Sequence, residues 1–474
     1  MMQYAFLSAY FLAALIIPLA FIGVLWGMFR ISSQRNDRVF WGGLIGMLAL
    51  LPVLTDLRIT RGEFVDGVLR DVWVPPAILQ FLALWGARGM TYLLLGFSLV
   101  VIAKTIFSRH VEKRTGTTLF LAYLALVVPS FISSVFGSNP VFIHFIFYGP
   151  LFFALAYLAQ PALDWLWYVK QFKRVLLIYI SLSALMGLIV PSWTTGAALT
   201  LIPGFTFRLH GIFSHSNSLG MTALVYLVLD MADDSPKTIY RKAAWLISFA
   251  VLVAAQSKTA WVGALLTYGI YIIYKVQSRR SPKVDYLFAP AIVVGLIFLA
   301  GLSGLLLAFS SGGWFRGLDT ETYNTLTTFT GRTTLWEITV NTWRDNPIFG
   351  YGPSLWDIDY RIKYAPQQLL YSAGMAHNQF FQTLGESGVL GVIGLSLYVL
   401  ILVKYGIKYF STTRGASLAL VVVLLTRSIS ETPFRNQALD LMFFVHFGVF
   451  VLLLSLEANA NKTKLTTATN LEKV

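Results

Sequence analysis

Runs of mostly apolar residues recur along this 474-residue chain near 4–29, 39–55, 77–103, 116–137, 141–159, 175–192, 217–232, 243–257, 259–275, 284–310, 380–403, 416–430 and 437–456. A helix needs roughly 20 such residues to cross a bilayer. In lipid, every backbone N–H and C=O must be satisfied inside the segment, and a helix does that. The expected fold class is therefore all-α: a polytopic transmembrane helix bundle of about 12–14 spans. The 77–103 run is long enough for one helix or a broken pair. Charged residues make up 12% of the chain, against about 25% in a soluble domain, so lipid must be the solvent for most of it. The absence of cysteine excludes a disulfide, a thiolate zinc site and a cysteine nucleophile.

A net charge of +14 would suggest a nucleic-acid partner for a soluble protein. Here Lys and Arg collect on every second loop: Arg30, Arg35 and Arg38; Lys104, Arg109, Lys113 and Arg114; Lys170, Lys173 and Arg174; Lys237, Arg241 and Lys242; Lys275, Arg279, Arg280 and Lys283; Lys404, Lys408 and Arg414; and Lys462, Lys464 and Lys473. The positive-inside rule makes those loops cytoplasmic. The expected partners are then membrane lipids and no nucleic acid. The C-terminus is expected inside and the N-terminus outside. The first run reads as a retained helix, because no basic residue precedes it and no small-residue cleavage site follows. The expected organisation is one transmembrane domain over 1–474, with a long extracytoplasmic loop at 311–379 and a polar, disordered cytoplasmic tail at 457–474. The cytoplasmic loops are short and lack a Walker A motif or an Asp-x-Asp pair. A long loop in a compact protein is usually functional, so the active surface is expected to face away from the cytoplasm.

The outer segments hold the candidate chemistry. Arg208 precedes the 217–232 helix, which Ser216 or Asn217 would cap; helix N-termini suit anions, although an interfacial anchor is the competing reading. Arg332 opens a segment at 332–346 in which Trp336, Val340 and Trp343 recur at i, i+4 and i+7. That pattern predicts an amphipathic helix lying on the membrane surface, with Thr334 and Glu337 resembling a capping box. His377 stands at the mouth of the 380–403 span, and an imidazole with an ordinary pKa near 6.5 can accept a proton. A hydrogen-bonded interfacial histidine is the alternative, and His210 and His215 compete for the role. His110, His144 and His446 are poorer candidates. Lys258 suits either a phosphate or a simple turn. Arg427 and Glu431, one helical turn apart, form a structural ion pair or line a polar cavity. Asp357 and Asp359 have metal-holding spacing, but Arg361 and Lys363 beside them favour a solvated face. Arg88 has no account at this level.

Together these groups suit one chemistry. Guanidinium groups bind phosphate oxygens bidentately and stay charged, as a membrane-anchored diphosphate requires. A neutral imidazole can take a proton from an incoming hydroxyl. Glycosyl transfer from a polyprenyl-diphosphate sugar fits: negative charge grows on the leaving diphosphate, where the arginines would stabilise it. The sugar passes through an oxocarbenium-like state, and attack from the opposite face inverts it. No cofactor and no metal are expected.

Three segments resemble the O-antigen ligase and Wzy-type polysaccharide polymerase superfamily. They are Arg208-Leu-His-Gly-Ile-Phe-Ser-His215-Ser-Asn217; Gly331-Arg332-Thr-Thr-Leu-Trp336 with Asn346-Pro-Ile-Phe-Gly-Tyr-Gly352; and His377-Asn378 followed by Glu386-Ser-Gly388. Their order around one long outer loop also matches, over roughly 200–400. The resemblance implies a GT-C-like membrane glycosyltransferase in the bacterial inner membrane. It implies that Arg208 and Arg332 handle the diphosphate and that His377 is the base, with Lys258, His215, Asn217, Asn378, Trp336, Glu386 and Arg427 as further substrate-binding candidates. The implied donor is a polyprenyl-diphosphate-linked oligosaccharide; the acceptor is a lipid-linked repeat unit for a polymerase or lipid A–core for a ligase. The wording of the motifs lies closer to the polymerases. A lipid-linked glycan transporter and an envelope scaffold are the alternatives from other classes. No repeat or mid-membrane charge of the kind transporters show stands out.

Overall fold

The computed structural model describes residues 37–57, 61–65, 68–73, 77–107, 114–161, 163–196, 202, 207–279, 332–366, 374–435 and 439–471. The expected spans near 4–29 and 284–310 lie outside these residues. Among the described residues the chain is a helix bundle, as expected. Its helices are α1 (Asp37–Leu57), α2 (Ala77–Phe107), α3 (Thr117–Phe136), α4 (Tyr148–Ala159), α5 (Trp165–Ile189), α6 (Ser216–Ala232), α7 (Ile239–Ala254), α8 (Lys258–Arg279), α9 (Arg332–Trp343), α10 (Ile358–Tyr364), α11 (Gln379–Lys408), α12 (Ala416–Ser428) and α13 (Leu441–Leu471). Two small antiparallel pairs accompany them: β1 (Arg61–Val65) with β2 (Val68–Trp73), and β3 (Thr195–Gly196) with β4 (Arg208–Leu209).

Seven described helices are long and apolar enough to cross a membrane: α1, α2, α3, α5, α8, α11 and α13. The 77–103 run is one continuous helix, α2. The apolar helix α12 is shorter. The spanning part of α13 is 94% buried, which makes it the post around which the others stand. A helix that is apolar all round has no face to give to solvent, and Leu441–Leu456 offers little but His446 and Ser455 to break the run. Beyond the expected span, α13 continues as helix to Leu471, in place of the disordered tail expected from its polarity.

Helix α11 lies tightly along α3. A Cβ on Gly394 would meet the Ala125 carbonyl oxygen at 2.0 Å, so only glycine permits the approach, as small residues do between membrane helices. Nearer its start, α11 breaks at Gly388, whose φ is 61° and ψ −157°. The break frees carbonyls that would otherwise be orphaned in the interior. The turn after α9 takes them up: Tyr351 N–H donates to Gly385 O at 2.7 Å and Gly352 N–H to Glu386 O at 3.0 Å. Ser133 Oγ on α3 adds a third donor, to Glu386 O at 2.6 Å.

The segment from α9 to α11 carries a small core of its own, built from Leu335, Tyr351, Leu355, Trp356, Tyr360 and Ala376. Helix α9 forms where the Trp336, Val340 and Trp343 pattern predicts, but that stripe is only half-buried. The buried face is Leu335, Thr339 and Thr342, with Thr342 Oγ1 2.8 Å from the Tyr360 hydroxyl, and α9 packs on α11. Thr334 falls inside the first turn of α9, so the capping-box reading fails. The Asp357 side chain caps α10, accepting from Tyr360 N–H at 2.8 Å.

Candidate active site

Four chain segments meet at one end of the bundle. The first is β4. Arg208 pairs there with Gly196 of β3, and its guanidinium donates to Gln256 O at 3.1 Å. Gln256 is fully buried, in the turn between α7 and α8. Its side chain donates to Phe207 O at 2.8 Å and accepts from Ile202 N–H at 3.1 Å. One buried amide thus fixes the strand that presents Arg208. Burial lowers the Arg208 pKa, but a guanidinium remains a cation.

The second segment begins α6. Its cap is His215, not Ser216 or Asn217: His215 Nδ1 accepts from Asn217 N–H at 3.2 Å. Histidine is a rare cap, and only an unprotonated ring nitrogen can accept a backbone N–H. The crowded surroundings push the His215 pKa down to about 4, with Arg427, Arg208 and His377 adding to the effect and Glu431 opposing it.

The third segment is the turn into α11. His377 has a φ of 48°, a left-handed conformation that costs a non-glycine residue about 1 kcal/mol or more. Several contacts hold it there. Trp336 Nε1 donates to Ala376 O at 2.9 Å and its ring stacks on Phe381 at 4.9 Å. Ala376 N–H donates to Gln382 Oε1 at 2.9 Å. Asn378 caps α11 through its Oδ1, and its Nδ2 donates to Ile429 O at 3.1 Å. Trp336 and Asn378 therefore position the His377 turn.

The fourth segment follows α12 and centres on Glu431. Its Oε2 is 3.0 Å from His377 Nδ1. Its Oε1 is 3.6 Å from both the Arg332 and the Arg427 guanidinium groups. Arg332 also donates to Ser430 O at 2.9 Å. Burial alone would raise the Glu431 pKa, but Arg427, the His377 ring and Arg332 hold it well below the usual carboxylate range. An ionised carboxylate can only accept, so His377 carries a proton on Nδ1, and Nε2 is the ring nitrogen that Glu431 does not engage. Lys258, at the start of α8, lies within electrostatic reach of Arg208 and Arg332.

The structure thus brings together Arg208, His215, Lys258, Arg332, His377 and Arg427 from the sequence candidates. Arg427 is buried behind Glu431 at 3% exposure. Asn217 contributes its backbone N–H to the His215 cap. Glu386 lies elsewhere on α11: it accepts from Ser130 Oγ at 3.2 Å and Gln382 Nε2 at 3.3 Å, in a polar cavity that Gln379 and Arg435 also line. Of the residues left aside at first, His210 bonds Phe213 O through Nδ1, and His446 is buried against the Tyr398 hydroxyl. Arg88 stands over the Trp85 ring at 5.3 Å. The residue the sequence reading undervalued is Glu431. Its spacing from Arg427 was visible, but its partnership with His377 spans 54 positions. Gln256 gave no signal beyond lying beside Ser257-Lys258.

Residues 242–396 match the family model described as O-antigen ligase. This part of the chain is thus similar to that family. The matched segment covers about a third of the chain and contains Lys258, Arg332, His377 and the Gly388 break. Arg208, His215, Arg427 and Glu431 lie outside it, so the charged cluster draws on residues from both the matched segment and its flanks. The match supports a membrane glycosyltransferase of the ligase or polymerase kind, with lipid-linked glycans as its kind of substrate. No curated protein matches the chain.

Proposed function

We propose that this protein moves an oligosaccharide from a polyprenyl diphosphate to a sugar hydroxyl at the extracytoplasmic face of the bacterial inner membrane. The observation that carries the reading is the Glu431 carboxylate, which holds the His377 imidazole on one oxygen and faces Arg332 with the other. A proton acceptor and a diphosphate-binding cation are thereby fixed side by side.

In this reading Arg208 and Arg332, with Lys258 near them, bind the diphosphate bidentately and as a point charge respectively. His377 Nε2 takes the proton of the acceptor hydroxyl, and Glu431 stabilises the imidazolium that forms. The hydroxyl oxygen bonds to the anomeric carbon. The bond to phosphate breaks on the far side, its electron pair leaves with the diphosphate, and the anomeric centre inverts. The guanidinium groups meet charge where it develops, a contribution of about 10²–10³ in rate per donor. The positive charge needed on the leaving group is supplied by side chains.

Polymerisation of lipid-linked repeats is the activity proposed, on the wording of the Arg208–Asn217 and Gly331–Trp336 motifs. Ligation to lipid A–core is the second reading, favoured by the description of the matching family model. Purified protein incubated with a polyprenyl-diphosphate oligosaccharide, with and without lipid A–core, separates the two on a gel. A ladder from donor alone marks a polymerase, and one core-dependent band marks a ligase. His377→Ala should abolish either product while the protein stays in the membrane, and EDTA should leave the rate unchanged. Normal product from His377→Ala would sink the proposal.

A further inference from the structure

The site contains two imidazoles, and their surroundings give Nδ1 opposite roles in the two rings. His377 must donate from Nδ1 to the Glu431 carboxylate at 3.0 Å. His215 must accept at Nδ1 from the Asn217 backbone N–H at 3.2 Å, because a peptide N–H can only donate. The one proton of a neutral His215 ring is then on Nε2.

The ring also stays neutral. Arg208, Arg427 and His377 act on it electrostatically with the sign that disfavours a second proton, and Glu431 is the opposing carboxylate. His215 is itself solvent-exposed, so a ligand can reach it. Arg427, within electrostatic reach and 3% exposed, leaves Nε and Nη1 without partners among the described residues. A buried cation with unmet donors signals a site built for an anion.

We infer that His215 is a catalytic hydrogen-bond donor: its Nε2–H meets the diphosphate oxygen that departs from the anomeric carbon. The inference rests on the glycosyl-transfer reading. No proton is transferred at this position. The acceptor's proton goes to His377 Nε2, the glycosidic electron pair goes to the diphosphate, and His215 stabilises the charge that arrives there. A neutral donor suits the task, since it does not compete with the arginines for ground-state binding yet strengthens as the oxygen becomes anionic. The helix cap is the device that makes it work: occupying Nδ1 turns the histidine into a donor of fixed geometry.

Two measurements test this. The first is the nitrogen-15 spectrum of histidine-labelled protein, with His215 assigned by the signals lost in His215→Asn. The expected result is a bare Nδ1 and a protonated Nε2 for His215 and a protonated Nδ1 for His377, with the His215 Nε2 signal moving on addition of inorganic pyrophosphate. A protonated Nδ1 on His215, or no response to pyrophosphate, overturns the inference. The second is kinetic. Asparagine is a strong N-cap, so His215→Asn keeps α6 intact while removing Nε2–H. With an unchanged unfolding midpoint, kcat should fall about 10²-fold and the donor KM should change less than about threefold. An undiminished kcat shows that His215 is only a cap. If the unaltered protein makes no product from the lipid-linked oligosaccharide, the glycosyl-transfer reading itself fails and takes this role with it.

Discussion

Glu431 is claimed by His377, Arg332 and Arg427 at once, and each claim has a different consequence. Toward His377 the carboxylate fixes the tautomer. Glu431→Gln should lower kcat by about 10²-fold or more, as the loss of an orienting carboxylate does in a histidine-based site, with a smaller change in KM; a steady-state assay decides. Toward Arg427 it neutralises a buried cation. Removing one partner of a buried pair typically costs about 3–5 kcal/mol, so Glu431→Ala should also lower the unfolding midpoint, which Glu431→Gln should lower less.

His215 adds a pH dependence. Its pKa falls from an ordinary value of about 6.5 to about 4 in the fold. The folded state therefore favours the neutral ring. That stability is fully present above about pH 6.5 and drains away as pH falls toward 4. The unfolding midpoint of the unaltered protein should drop across this window more steeply than that of His215→Asn; equal slopes would count against it. At this scale the sequence showed Arg208, Arg332 and His377, because each stands at the mouth of a helix or an apolar run. It concealed the cap and the Glu431 partnership. Histidine is not a favoured cap, and a contact across 54 positions leaves no local pattern.

Among elements, the break in α11 is what lets the loop dock. A Cβ at Gly388 would stand 2.3 Å from Ile348 O and 2.5 Å from Ile348 C, and the φ of 61° already disfavours a side chain. Gly388→Ala should destabilise by about 2–4 kcal/mol, from the left-handed backbone and the clash. It should also undo the pairing of Tyr351 and Gly352 with α11. Hydrogen exchange at those two amides is the measurement, and unaltered protection would refute the account. Three successive residues do similar work on the other side: Ile429, Ser430 and Glu431 receive Asn378, Arg332 and His377. The glycines of Gly385–Gly388 and Gly350–Gly352 were plain in the sequence, as was the 332–346 helix. Their mutual pairing was not, because backbone-to-backbone contacts carry no residue signature. The buried face of α9 leaves no apolar pattern because two of its members are threonines, whose hydroxyls bond to carbonyls one turn back at 2.7 and 3.0 Å and so are satisfied inside.

At the scale of the molecule, the spans were legible because lipid allows so few solutions to the backbone's needs. The short apolar helices blurred the count. The charged cluster gathers at one end of α6, α8, α11 and α12, while basic residues bind acidic ones at the other: Lys173 with Asp230 and Asp233, and Lys408 with Glu457. The chain has no cysteine, so an introduced one is unique. Exposed Asp345→Cys should react with a membrane-impermeant maleimide on intact cells. Asp234→Cys, which gives up only an exposed pair with Arg414 of small worth, should react after permeabilisation. The reverse pattern would invert the topology.

Among the described residues, Arg332 and Arg427 share one carboxylate, Glu431, and Arg208 and Lys258 stand near them. Such an arrangement sets like charges against one another. It should be steadied by any small polyanion, and a rise in unfolding temperature with added pyrophosphate would register that. With the proposed donor, the spent carrier lipid would keep the same two phosphates, so the grip that captures one would also detain the other. Turnover would then be paced by how fast the used lipid escapes sideways, and starving the cell of the enzyme that recycles it would stall assembly with every site occupied.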